Sequence, residues 1–250
     1  MEIKRNRSLL ARIGAAEAPP PWSLASVVLT IVAAFLLFVA GTLLAFAWLE
    51  GQPYAAIAGW LIGGLLTILF IAQSRRHPED RAALRLGPPK TPLLFIMLIG
   101  FGFAIAIDIL SLAATGQFLP APELIGINLS AGSVTTWIVV LAFMIIVKPI
   151  AEELVFRGVA LPALRASLSP WPGLLITAGL HAGFHLLLYP PNYAIVNGFT
   201  PIWYGFAVPL LAALVIGAIR AATGSTRAAI AAHAAFGLFA VAKLATLGGA

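Results

Sequence analysis

The residues of this chain whose types and spacing suit chemistry are two glutamates, an arginine and three of its four histidines. Glu152 and Glu153 are adjacent, so on a helix they project about 100° apart and cannot share one task. Arg157 follows Glu153 by four residues, the same-face spacing of an intrahelical ion pair. No such partner follows Glu152 in the motif. That asymmetry makes Glu152 the candidate reactive carboxylate and the Glu153–Arg157 pair its brace. His181 and His185 are also four apart, so both imidazoles face one way, a spacing that suits either a metal or one His held as a base. His233 adds a third imidazole. A carboxylate with two or three imidazoles in a dry cavity is a water-activating set, in which Glu takes the proton and His orients water, stabilises an oxyanion or binds a metal. The plainer readings are an EExxxR cluster in interfacial water and histidines hydrogen-bonded in a core.

The elements that must position these residues are set by composition. Hydrophobic residues make up 61% of the 250 and charged residues 10%, against about 45–50% and about 25% in soluble domains, which excludes a soluble fold of this size. Apolar runs at about 24–49, 54–73, 92–115, 133–147, 171–189, 202–220 and 227–247 are for the most part long enough for a bilayer core that takes about 20 helical residues to cross. The expected fold is an all-α membrane protein of about seven transmembrane helices, with a tail at 1–23, one membrane domain at 24–250 and the catalytic core in the C-terminal half. The fourth run continues through Pro149 and AEELVFRG to Arg165 as one long or kinked helix.

The net charge of +6 is explained by topology rather than by nucleic-acid binding. Lys4, Arg5, Arg7 and Arg12 precede the first run; Arg75, Arg76, Arg81, Arg85 and Lys90 lie in a charged, Pro-rich surface loop between the second and third. Arg165, Arg220 and Arg227 mark later turns on the same side, whereas the connections around Glu50, Glu123 and Asn192 carry no Lys or Arg. This alternation predicts a cytoplasmic N-terminus and an outer C-terminus, with Lys243 snorkelling to the outer interface. The absence of cysteine excludes disulfides and thiol catalysis.

Helix rise puts Glu152 about 20 Å inward from Arg165, and His185 about 21 Å and His181 about 15 Å inward from Trp171. His233 lies only about 9 Å beyond Arg227, a gap that tilt can absorb. No GxSG, HExxH or GxGD motif is present, and Asp108 is read as a helix-to-helix hydrogen bond or a pocket lining. Ionisable groups in spans are costly, so Lys148 joins the functional candidates by default.

EELVFRG at 152–158, LITAGLHAGFH ending at His185 and ATGSTRAAIAAH ending at His233 together resemble the CPBP family of intramembrane proteases, also called the CAAX protease and bacteriocin-processing or ABI family, over about 137–239. The resemblance implies a helical core around a catalytic cavity. It implies Glu152 as the base that activates water, Glu153 and Arg157 as the second glutamate and the arginine of the motif, and His185 and His233 as its histidines. It leaves open a divalent metal such as zinc, with His181, His185 and His233 as ligands, or a metal-free water. Two positions depart from the pattern: His181 stands where the family has Phe, and Gly237 where it has Asn or Asp. His181 turned towards the same water would compensate for the side chain missing at 237.

The leading expectation is therefore an endopeptidase in a bacterial inner membrane, acting on a membrane protein, a lipidated C-terminus or a leader peptide, with lipids as its surroundings and no nucleic-acid partner. A non-catalytic scaffold or immunity protein of the same fold is the second reading, and a small proton-coupled transporter the third.

Overall fold

The computed structural model describes residues 8–129, 131–192 and 198–247, so the topology assigned from Lys4, Arg5 and Arg7 lies outside the described residues. Among the described residues seven helices are long and apolar enough to cross a membrane: α1 Leu24–Trp48, α2 Ala55–Ser74, α3 Leu93–Thr115, α4 Val134–Leu168, α5 Pro170–Leu188, α6 Phe199–Thr223 and α7 Thr226–Thr246. No strand occurs among the described residues. The side chains turned outward are those of an integral membrane protein: Leu29, Leu43, Leu98 and Leu187 are all exposed.

Local chemistry sets the helix starts. The Ser23 hydroxyl accepts the Ser26 N–H ahead of α1, and Ser133 does the same for Thr136 ahead of α4. Gly41 of α1 faces Gly59 and Gly63 of α2, where an added Cβ would fall on the opposing backbone, so these two helices meet main chain to main chain.

The fourth run is a single long helix, and its irregularities are two wide, π-type stretches, 142–147 and 154–160; a third opens α6 at 203–207. A proline follows each stretch by two residues: Pro149, Pro162 and Pro209. A proline ring clashes with the carbonyl four residues back and supplies no N–H. Here those carbonyls belong to Ile145, Gly158 and Gly205, each inside a wide turn that absorbs the clash without breaking the helix. Between the two wide stretches of α4, residues Lys148–Glu153 are regular α-helix, and that single turn and a half carries the candidate carboxylates.

Two expectations are corrected. The loop between α2 and α3 is not all surface: it holds a short helix, Pro78–Ala83, and buries Leu84 in the core. Lys243 does not snorkel to the interface; it is buried and bonded to Asp108 across the α3–α7 contact, which makes Asp108 the helix-to-helix hydrogen bond expected of it.

Candidate active site

Glu152, Glu153 and Arg157 are at most 1% exposed, so every charge in this turn of α4 must be met by protein. The brace forms as expected: Arg157 Nη1 donates to Glu153 Oε1 at 3.0 Å. Its Nη2 donates to the Ala213 carbonyl of α6 at 2.7 Å, which pins α4 against α6.

The same guanidinium fixes a histidine. Arg157 Nη1 stands 2.6 Å from His181 Nδ1, and because arginine only donates, that ring nitrogen is an acceptor. The ring proton is then on Nε2, which donates to Glu152 Oε2 at 2.8 Å. Phe156 stacks on the other side of the imidazole, centroid to centroid 4.5 Å and nearly parallel, so the ring cannot swing away. The second oxygen of Glu152 accepts the Tyr189 hydroxyl at 2.9 Å. His181, His185 and Tyr189 recur at four-residue steps along α5 and its end, on one face directed at α4.

His233 reaches the site from α7. Its Nδ1 donates to Glu153 Oε1 at 2.8 Å, leaving Nε2 3.9 Å from Glu152 Oε2. His185 turns to a different carboxylate. Its Nε2 donates at 2.9 Å to Glu123 Oε1, and its Nδ1 is buried without a hydrogen-bond partner. Glu123, in the short 3-10 turn Pro122–Leu124 before α4, accepts on that same oxygen from Lys148. Burial alone would raise the Glu123 carboxyl, but Lys148 and His185 together hold it well below the ordinary carboxylate range.

These groups line one cavity of about 140 Å³, which includes Glu123, Lys148, Glu152, His181, His185 and His233 and extends to Asp108 and Lys243. It has room for several water molecules. Sequence reasoning missed Glu123 and Tyr189. Tyr189 carried a signal, four residues after His185, whereas Glu123 comes from a connecting loop with no periodicity to reveal it.

The proposed metal trio is not assembled. His181 spends both ring nitrogens, on Arg157 and Glu152, while His185 and His233 each give one to a different glutamate. Among the described residues no three His, Asp or Glu side chains form a group that could hold a metal ion. The residues as arranged do not fit a metal.

Gly237 has a packing reason. A Cβ there would land on the Met144 carbonyl, in the first wide stretch of α4, so α7 lies directly against that backbone and the Asn or Asp of the family pattern has no space.

Residues 134–239 match the family model described as Type II CAAX prenyl endopeptidase Rce1-like, the family grouping that the three motifs resembled. No curated protein and no solved structure matches the chain.

Proposed function

We propose that the protein is an intramembrane endopeptidase that hydrolyses a peptide bond of a membrane-associated, lipidated or leader-peptide substrate with water activated by Glu152. The observation that carries this reading is the Glu152 carboxylate, buried on the wall of a cavity and held by donors at both oxygens. A carboxylate gripped from two sides keeps one orientation while its remaining lone pairs stay directed at the cavity.

In the reaction Glu152 accepts a proton as the water oxygen bonds to the substrate carbonyl carbon. His233 Nε2, 3.9 Å from Glu152 Oε2, lies where one water can touch both. The proton held by Glu152 then passes to the leaving nitrogen as the C–N bond breaks, and the carboxylate is restored. Glu153 and Arg157 position: Glu153 orients His233, and Arg157 sets the tautomer of His181 so that His181 donates to Glu152.

The test is proteolysis of a library of membrane and lipidated peptides by purified protein in lipid, wild type against Glu152→Gln. Cleavage by the wild type that is lost in the variant supports the reading. If both remain folded and neither cleaves, the non-catalytic scaffold takes its place. The specific observation on the scaffold's side is Gly237, where the main chain of Met144 fills the space of a side-chain donor. The topology we propose keeps the N-terminus cytoplasmic, in an inner or plasma membrane. It is supported by Arg75, Arg76, Arg81, Arg85 and Lys90 in the α2–α3 loop, against connections around Glu50, Glu123 and Asn192 that carry no Lys or Arg.

A further inference from the structure

Water attack on a carbonyl leaves a negative oxygen that needs a donor, and a buried site needs that donor in place beforehand. The histidines are largely committed. His181 gives its N–H to Glu152, His233 gives its Nδ1–H to Glu153 and His185 gives its Nε2–H to Glu123. At position 237 no side chain is present.

Of the two lysines on the cavity wall, Lys243 is bonded to Asp108, and Lys148 is the one on the helical turn that carries Glu152. Lys148 lies four residues before Glu152 within the regular turn Lys148–Glu153, so both side chains leave the same face of α4. It is buried, lines the same cavity, and its ammonium stands 5.0 Å from the centroid of the Tyr189 ring, the ring whose hydroxyl bonds Glu152. An ammonium carries three N–H donors, and Glu123 Oε1 takes one of them. Glu123 itself reaches in from outside the helix and is shared with His185, which holds the lysine stem towards the cavity.

Resting on the peptidase reading, we propose that Lys148 is a catalytic residue whose ammonium donates to the substrate carbonyl oxygen and stabilises the oxyanion, in place of a donor at position 237. The charge balance of the step suits it. Before attack the negative charge nearest Lys148 on its helix face is on Glu152. As the water O–H bond breaks, its proton neutralises Glu152, the water oxygen bonds to carbon, and the carbonyl π pair moves onto oxygen. Negative charge thus passes from one acceptor to another beside the same cation. When the C–N bond breaks, that electron pair returns to the carbonyl and the Glu152 proton goes to the leaving nitrogen.

A purely structural Lys148–Glu123 pair makes a different prediction, and steady-state cleavage with thermal melts separates the two. Lys148→Met combined with Glu123→Gln removes both charges together. The expected result is a melting temperature near that of wild type, kcat lower by about 10²–10³-fold, the cost of losing one oxyanion donor, and KM nearly unchanged. A peptide phosphinate, which mimics the anionic tetrahedral state, loses affinity in parallel. Lys148→Gln keeps a donor for Glu123 without the charge and serves if the double variant does not fold; it is expected to lower kcat more than Glu123→Gln does. Wild-type kcat and phosphinate affinity in whichever Lys148 variant folds would overturn the assignment. Wild type and Glu152→Gln are assayed alongside. A wild type that cleaves nothing defeats the peptidase reading and this one together, whereas Glu152-dependent cleavage that ignores Lys148 defeats only this one.

Discussion

His181 is the side chain on which the proposed Glu152 chemistry turns, because it links the positive charge of Arg157 to a neutral N–H aimed at Glu152. Phe at this position, the residue of the family pattern, would keep the stacking on Phe156 and lose both hydrogen bonds. Losing the partner of a buried polar group costs about 1–3 kcal/mol, and about 1.4 kcal/mol is tenfold in rate. His181→Phe is therefore expected to lower kcat by about 10- to 100-fold with little change in KM; unchanged kinetics would show that the Glu152 orientation does not depend on it. Glu123 gives a pH signature instead. Its carboxyl is depressed in the folded chain, so its contribution to stability is full above the unfolded value of about 4.3 and is lost as pH falls through the folded one. Wild type should melt above Glu123→Gln at neutral pH, with the difference closing in acid. A difference that stays constant from pH 7 to strongly acidic solution would contradict the ion-pair assignment.

The elements carry the site because each wide turn lets a long helix keep going while changing which face it presents. The six-residue turn Lys148–Glu153 is held between two such stretches, and α7 closes on the first of them at Gly237. Filling that contact with atoms forces α7 away from α4, and overpacking of this kind costs about 1–3 kcal/mol. Gly237→Asn, which supplies the residue of the family pattern, is expected to lower the melting temperature and to reduce cleavage rather than improve it; a variant with unchanged melting and higher activity would refute the close approach. The seven spans were legible in the sequence because twenty-residue apolar runs have few alternative meanings, and the EExxxR brace was legible because its partners are four residues apart. The depth estimate for His233 left a gap that the structure closes through Glu153. What could not be read was pairing between distant segments. His185 and Glu123 are 62 residues apart and Lys243 and Asp108 are 135 apart, and nothing in local spacing encodes either contact. The topology rule also treated Arg165 and Arg220 as simple markers of a membrane side, yet both are buried.

At the scale of the whole molecule, those buried arginines identify a second centre of charge, apart from the candidate active site. Glu17, in the segment ahead of α1, meets Arg85 from the α2–α3 loop at 3.2 Å, Arg165 from α4 at 3.2 Å and Arg220 from α6 at 2.8 Å. The same segment supplies the Ile13 and Ala15 carbonyls to Arg165, while Arg12 donates to the Ala222 carbonyl at the end of α6. Trp22 adds a bond from its indole N–H to the Val159 carbonyl, in the second wide stretch of α4. One carboxylate therefore joins four chain segments where three like charges would otherwise repel. Arg85 is partly exposed and its share is small, but Arg165 and Arg220 are enclosed. Removing one partner from a buried charge set leaves the others uncompensated, at a cost of about 3–5 kcal/mol. Glu17→Gln is expected to lower the melting temperature markedly and to open the N-terminal segment to proteolysis near residues 8–23. Glu17→Asp, which keeps the charge, should recover part of the loss. Equal melting of Glu17→Gln and wild type would mean that the segment is held by its backbone and indole contacts alone.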